Sequence, residues 1–120
     1  MKYLLLIYSN ENSGLEMSEA EQGAFMQAYF DYPQTVGEKT KATVLSGEGL
    51  HPTAAATTVR VREGKTLTTD GPFAETKEQL GGYYMVEAEN LDEAIAAAAL
   101  IPSAPYGSIE IRPIMDFSQG

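Results

Sequence analysis

The sequence has no cysteine, so disulfides and thiol chemistry are excluded, and the composition suits a cytosolic protein. It has one histidine, His51, and a zinc site of the usual kind is excluded as well. Basic residues are few: 8 Lys and Arg stand against 17 Asp and Glu, for a formal net charge of -9. That argues against non-specific binding to nucleic acid or to an anionic membrane, both of which need clustered cations. Long apolar runs are missing too. The N-terminal run, residues 3–8, is too short for a signal-peptide core or a membrane span. No nucleophile elbow, phosphate loop, dinucleotide fingerprint or Ser-x-x-Lys pair occurs, and no cofactor is expected.

What is present fits one domain, residues 1–115, with a tail over 116–120 expected to fray. At 120 residues the chain can bury about two thirds of its unfolded surface, enough for a real core. Residues 3–8 read as a strand covered on both faces, and residues 10–17 as a polar loop with Gly14. Ser18 followed by Glu21 is a capping box. Phe25, Ala28, Tyr29 and Tyr32 then fall on one helical face, widened by Met26 and Phe30. Pro33 is expected to end or kink that helix near Asp31 or Tyr32, leaving a weaker turn or two over residues 34–40.

Residues 43–46 read as a short strand closed by Gly47-Glu48-Gly49. Thr57, Val59 and Val61 alternate with Thr58, Arg60 and Arg62, the period of a half-buried strand. Glu63-Gly64 suits a two-residue hairpin turn, with a return strand over residues 65–69. A strand over residues 83–88 leads to a second helix capped by Asn90, with Glu93 at the reciprocal position. Leu91, Ala94, Ile95 and Ala98 form its packing face, and Pro102 stops it. Ile109 and Ile111 alternate with Glu110 and Arg112, and Pro113 marks a sheet edge.

The chain is organised around residues 70–84, Asp-Gly-Pro-Phe-Ala-Glu-Thr-Lys-Glu-Gln-Leu-Gly-Gly-Tyr-Tyr. Asp70-Gly71-Pro72 is a braced turn. Phe73 is expected to anchor the loop into the core, and Glu75, Lys77 and Glu78 form a dense charge cluster. With the hairpin removed, the element order is βαββαβ, a ferredoxin-like split βαβ of the α+β class. Two helices cover one face of such a sheet. The other face needs a second copy, as in a dimeric α/β barrel, or the inserted hairpin folded back over it.

Residues 2–8, 57–62, 70–84 and 107–114 together resemble the YCII-related family, in the subgroup marked by its Asp-Gly-Pro-Phe motif. The match runs nearly end to end and in order. The resemblance implies a ferredoxin-like fold, a dimer, and a bacterial, cytoplasmic setting. It also implies gene neighbourhoods with sigma factors of the extracytoplasmic-function type, and hence a protein partner in a sigma-factor-linked circuit as one alternative. The wider family is associated with a His-Asp pair, the His on the first helix and the Asp in an Asp-Pro pair after the second. Here the first helix has no histidine and the late position reads Ile101-Pro102, so that pair does not carry over.

Several groups are candidates for chemistry. Asp70 and Glu75 would act as acid and base if Phe73 buried their loop and raised a carboxyl pKa. Otherwise Asp70 caps a turn and Glu75 pairs with Lys77 or an arginine. His51 could face a pocket as a base, or lie in a surface loop. Tyr8, Phe73, Lys77 and Tyr84 are the candidate ligand contacts. Arg60, Arg62 and Lys65 could hold a small anion or form a solvated face. The expected partners are a second copy and a small molecule bound in a pocket walled by residues 70–77.

Overall fold

The computed structural model describes residues 1–12 and 17–119, so part of the loop expected over residues 10–17, and the last residue of the tail, lie outside the described residues. In chain order the elements are β1 (Lys2–Ser9), α1 (Glu19–Lys39), β2 (Thr43–Gly49), β3 (Thr57–Arg62), β4 (Lys65–Asp70), β5 (Gln79–Glu87), α2 (Leu91–Ala99) and β6 (Ser108–Pro113). Four strands form an antiparallel sheet in the order β2-β5-β1-β6, and β3 pairs with β4 in a separate two-stranded sheet. Apart from that hairpin, the architecture is the ferredoxin-like βαββαβ expected from the sequence.

Alternation decides what β1 covers. Tyr3, Leu5 and Ile7 are buried, whereas Leu4, Leu6 and Tyr8 are partly exposed. Successive strand residues point to opposite faces. The buried set meets Tyr32 and Val36 of α1, Val86 of β5 and Ala94, Ala97 and Ala98 of α2 in one cluster. Both helices therefore pack on one face. The other carries Leu4 opposite Met85 and Leu6 opposite Tyr83, all partly exposed. Within one chain, β1 is covered on one face and not on both.

Helix α1 begins at the expected box: Glu21 N–H donates to Ser18 Oγ at 3.1 Å, and Ser18 N–H donates to Glu21 Oε1 at 3.3 Å. It then runs on through Pro33 to Lys39, which corrects the expected end near Asp31 or Tyr32 and the separate turn after it. Proline removes the N–H that would bond the carbonyl four residues back, that of Tyr29. Tyr84 of β5 supplies the missing donor, its hydroxyl reaching the Tyr29 carbonyl at 3.2 Å. The inward stripe of α1 is Phe25, Tyr29, Tyr32 and Val36, with Ala28 exposed. Met26 and Phe30 are 71% and 83% exposed, so they do not widen that stripe. A packing face too narrow to include them follows from α1 lying over the sheet as the outermost layer.

Helix α2 is capped as expected, Glu93 N–H donating to Asn90 Oδ1 at 3.0 Å. The reciprocal half of the box is absent. The Glu93 carboxylate accepts instead from Lys41 N–H at 3.1 Å, tying α2 to the chain entering β2. The packed face of α2 is alanine alone, at 94, 97 and 98, while Leu91 and Ile95 are exposed. Small side chains let the helix sit close to the sheet and leave its larger residues outside. β5 starts at Gln79, earlier than expected, and β2 runs on to Gly49 through a bulge between Val44 and Ser46.

The β3–β4 hairpin turns at Glu63 (φ 53°) and Gly64 (φ 76°), the left-handed pair a two-residue hairpin turn requires. Of its two strands only Thr58 is less than exposed. The hairpin stands off the body and does not fold back over the open sheet face.

Candidate functional site

The Asp-Gly-Pro-Phe turn is clamped at its glycine. Gly71 has φ 93°, a conformation that favours glycine. Its N–H donates to the Ala56 carbonyl at 2.6 Å, and its carbonyl accepts from Thr58 Oγ1 at 3.1 Å. This clamp holds the loop at the root of the hairpin and away from the core cluster. Phe73 is consequently 77% exposed, and the expectation that it anchors the loop in the core is corrected. Asp70, Glu75, Lys77 and His51 are exposed as well. Among the described residues, their side chains make no hydrogen bond or ion pair with one another, so Glu75 does not pair with Lys77.

Further along, the loop is stitched down. Thr76 Oγ1 donates to the Glu78 carbonyl at 2.5 Å, Gln79 Nε2 to the Thr76 carbonyl at 2.5 Å, and Ser108 Oγ to Glu78 Oε1 at 2.8 Å. Glu11, just after β1, accepts from Thr53 N–H at 3.0 Å and from Thr53 Oγ1 at 2.6 Å. Those two bonds hold its carboxyl below the usual carboxylate pKa. Pro72, Ala74, Glu75 and Thr76 border a shallow groove of about 350 Å³ with Glu11 and Thr53 on the other side. The loop thus walls a groove within one chain, and that groove is open and polar.

A more apolar hollow lies elsewhere. Ile7, Ser9, Met26, Tyr29, Tyr83 and Tyr84 line a cleft of about 380 Å³ between α1 and the end of the sheet, where Gly47, Gly49, Gly81 and Gly82 also border it. A second hollow of about 400 Å³ shares Ser9 and Tyr29 and continues past Phe25, Ser103 and Tyr106. Glycine is needed at position 47, since a Cβ there would stand 2.2 Å from the Tyr84 ring. Neither hollow is lined by lysine, arginine or histidine.

Between them stands a tyrosine cluster. The rings of Tyr29 and Tyr84 are stacked with centroids 6.4 Å apart, those of Tyr32 and Tyr84 are 4.4 Å apart, and Phe25 meets Tyr29 edge-on at 5.2 Å. The hydroxyls are all engaged: Tyr29 donates to Ser103 Oγ at 2.6 Å, Tyr32 to the Ala97 carbonyl at 2.5 Å, and Tyr84 to the Tyr29 carbonyl. Burial, with the Tyr29 phenol beside it, pushes the Tyr84 phenol up to about 12. Burial, then Tyr84 and Tyr29, pushes Tyr32 up further. Burial raises Tyr29 too, opposed by its bond to Ser103. These phenols stay neutral at physiological pH and act as walls and hydrogen-bonding groups.

Of the candidates drawn from the sequence, Tyr84 lines the cleft, Glu75 lines the groove, and Tyr8 lies on the open sheet face with its hydroxyl 3.4 Å from Glu110 Oε1. His51, Asp70, Phe73 and Lys77 are brought to neither hollow. Sequence reasoning missed Ser9, Glu11 and Ser103. A glutamate in a polar loop and a serine in the turn after α2 carry no local signal, because the partners of Glu11 and Ser103, Thr53 and Tyr29, are distant in sequence.

An antiparallel βαββαβ sheet with both helices on one face and ligand-sized hollows under the first helix defines a ferredoxin-like α+β domain. Among such domains, the chain belongs to the YCII-related domain family, whose model matches residues 1–118. It is similar to an uncharacterised protein of Rhizobium meliloti, with 36% identity over 122 residues, covering 100% of this chain and 97% of that one. Among solved structures it is similar to 5-chloro-2-hydroxyhydroquinone dehydrochlorinase of Burkholderia phenoliruptrix in complex with 2,5-dihydroxybenzoquinone, at a TM-score of 0.52 and 14% identity, covering 99% of this chain and 98% of that one. At that identity the likeness speaks to the fold. Among the described residues no helix is long and apolar enough to cross a membrane.

Proposed function

We propose that the chain works as a homodimer that binds a small, flat, uncharged molecule in the cleft between α1 and the end of the sheet. The observation that carries this reading is the cleft itself. Its volume of about 380 Å³ lies in the range of ligand pockets, its walls are mostly aromatic, aliphatic and glycine with Glu48 as the one charged residue, and it offers no cation to an anionic ligand. The dimer is supported by the open sheet face, where Leu4, Leu6, Tyr83 and Met85 are partly exposed and two sheets could meet around a two-fold axis. Catalysis would be a further step. Asp70, Glu75 and His51 are its candidate acid–base groups, with Phe73 and Lys77 beside them, and a second copy would have to bring them to a bound molecule.

The test is a thermal-shift screen against small metabolites. A ligand present at 100 times its Kd adds about 2.7 kcal/mol of stability. A Cβ added at Gly81 meets only the Ile7 carbonyl, at 4.0 Å, so Gly81→Leu should fill the cleft mouth while the protein stays folded. A hit abolished by Gly81→Leu and kept by Glu75→Gln and Asp70→Ala supports the cleft. A hit abolished only by the latter two moves the ligand to the groove at residues 70–77.

A second reading, an accessory protein acting through a protein partner in a sigma-factor-linked circuit, is favoured by Phe30 on the outer side of α1, 83% exposed. It predicts an empty screen, and a co-purifying protein that is lost on Phe30→Glu.

A further inference from the structure

Tyrosine aside, Ser103 carries the one buried polar side chain among the described residues, at 5% exposed. It sits in the turn after α2, where its carbonyl accepts from Tyr106 N–H at 2.9 Å and from Gly107 N–H at 3.0 Å. Those bonds fix its backbone. Its hydroxyl oxygen stands 2.6 Å from the Tyr29 hydroxyl. Each hydroxyl brings one proton and two acceptor lone pairs. The pair shares one bond, so one proton is left over. The phenol is the stronger acid and gives the shared proton, and the serine keeps its own. Among the described residues no acceptor meets that serine proton. A buried donor is rarely left without a partner.

The room for such a partner is the second hollow, about 400 Å³ in volume, which Ser103 and Tyr29 both line. Phe25 and Tyr106 give it further aromatic wall. Its two carboxylates are already engaged. Glu11 accepts from Thr53 N–H and Oγ1, and Glu21 accepts from Ser18 N–H. They discourage an anion and do not take the serine proton. The hollow therefore offers aromatic surface, one buried neutral donor, and no cation.

We propose that this hollow is a binding subsite for a neutral ring compound bearing a carbonyl oxygen, and that the Ser103 hydroxyl recognises that oxygen. The ring lies against Phe25, Tyr29 and Tyr106. Tyr29 acts through Ser103: by donating to Oγ it orients the serine hydroxyl and polarises its O–H, because linked hydrogen bonds strengthen one another. Selection comes from desolvation. A ring compound without an acceptor covers the serine donor and leaves it unpaired. The subsite adjoins the cleft at Ser9 and Tyr29, and it stands whether or not the cleft binds a ligand of its own.

The experiment compares 4-fluoroacetophenone with 1-ethyl-4-fluorobenzene, which has nearly the same shape and no acceptor. Fluorine NMR gives the Kd of each, and amide resonances of the full-length protein give the place of binding. The expected result is shifts at Phe25, Ser103 and Tyr106, with the ketone bound roughly two- to tenfold more tightly, the worth of one net hydrogen bond. In Ser103→Ala that ratio should fall to about one while the Kd of the ethyl compound stays put, a change that a merely structural serine would not produce. Tyr29→Phe should keep most of the ratio. If Ser103→Ala misfolds by circular dichroism, the wild-type ratio and shift map decide together with Tyr29→Phe. Equal Kd values in the wild type would overturn the proposal and leave Ser103 paired with water. No binding of the ketone, or shifts confined to Gly47 and Gly81, would overturn the subsite and leave the cleft untouched. A ratio lost in Tyr29→Phe and kept in Ser103→Ala would overturn the assignment to serine. Tighter binding of 4-fluorobenzylamine or of 4-fluorobenzoate than of the ketone would overturn the neutral ligand class.

Discussion

Tyr84 serves two purposes with one hydroxyl. It borders the cleft, and it caps the Tyr29 carbonyl that Pro33 leaves without a helical donor. Tyr84→Phe should cost about 1–3 kcal/mol, the range for stranding a polar group that folding has removed from water. Pro33→Ala restores the N–H, and in that background the same change should cost much less. Urea denaturation of the four proteins measures the coupling, and a value below about 0.5 kcal/mol, the range of independent sites, would separate the two residues. Gly71→Ala is the complementary case. Its Cβ would meet nothing within 4 Å, so any loss is backbone strain at φ 93°, about 1–2 kcal/mol, read as a lowered Tm. The Ser18–Glu21 box was legible from the sequence because its partners are three residues apart. The tolerance of Pro33 was not, because the compensating bond joins residues 55 positions apart.

Helix starts and the hairpin reversal followed from local chemistry; the end of α1, the end of β2 and the start of β5 did not, and neither did element orientation. Caps and the Glu63-Gly64 turn marked where α1, α2 and the hairpin begin or reverse. Which side of each helix would face inward depended on how close the sheet lies. Met26, Phe30, Leu91 and Ile95 satisfy the helical period and still face outward, because alanines bring α2 close and a narrow aromatic stripe suffices for α1. The contact between α1 and β5 has a signature in alkali. Tyr29, Tyr32 and Tyr84 all have phenol pKa values raised above 10.0, Tyr84 to about 12. Folding thus favours the neutral phenol. The stabilisation is fully present below pH 10 and is lost as pH rises through 10 towards the folded values. Absorbance titration at 295 nm should show the phenols of Tyr29, Tyr32 and Tyr84 ionising late and together with unfolding. These three ionising near pH 10 before unfolding would contradict the packed cluster.

At the scale of the whole molecule, the βαββαβ order was readable because periodicity gives element type and few topologies accept that order with short connections. The candidate site was not. The braced loop at residues 70–77 drew attention as the most specified stretch, yet its clamp at Gly71 fixes it to the hairpin root. The cleft is built by Ser9, Tyr29 and Tyr84 from three elements, none of which signals a hollow alone. The placement of β1 has a consequence for how the chain assembles. This inner strand of the sheet pairs with partners far along the chain, Lys2 with Glu87 and Tyr3 with Pro113. Loop-closure entropy must be met before those ladders repay it, so the body folds more slowly than a domain held by local contacts. Hairpins as local as β3–β4 zip in about 1–10 µs. During the lag, the apolar N-terminal strand waits without a mate, and that interval is when the chain is most exposed to aggregation.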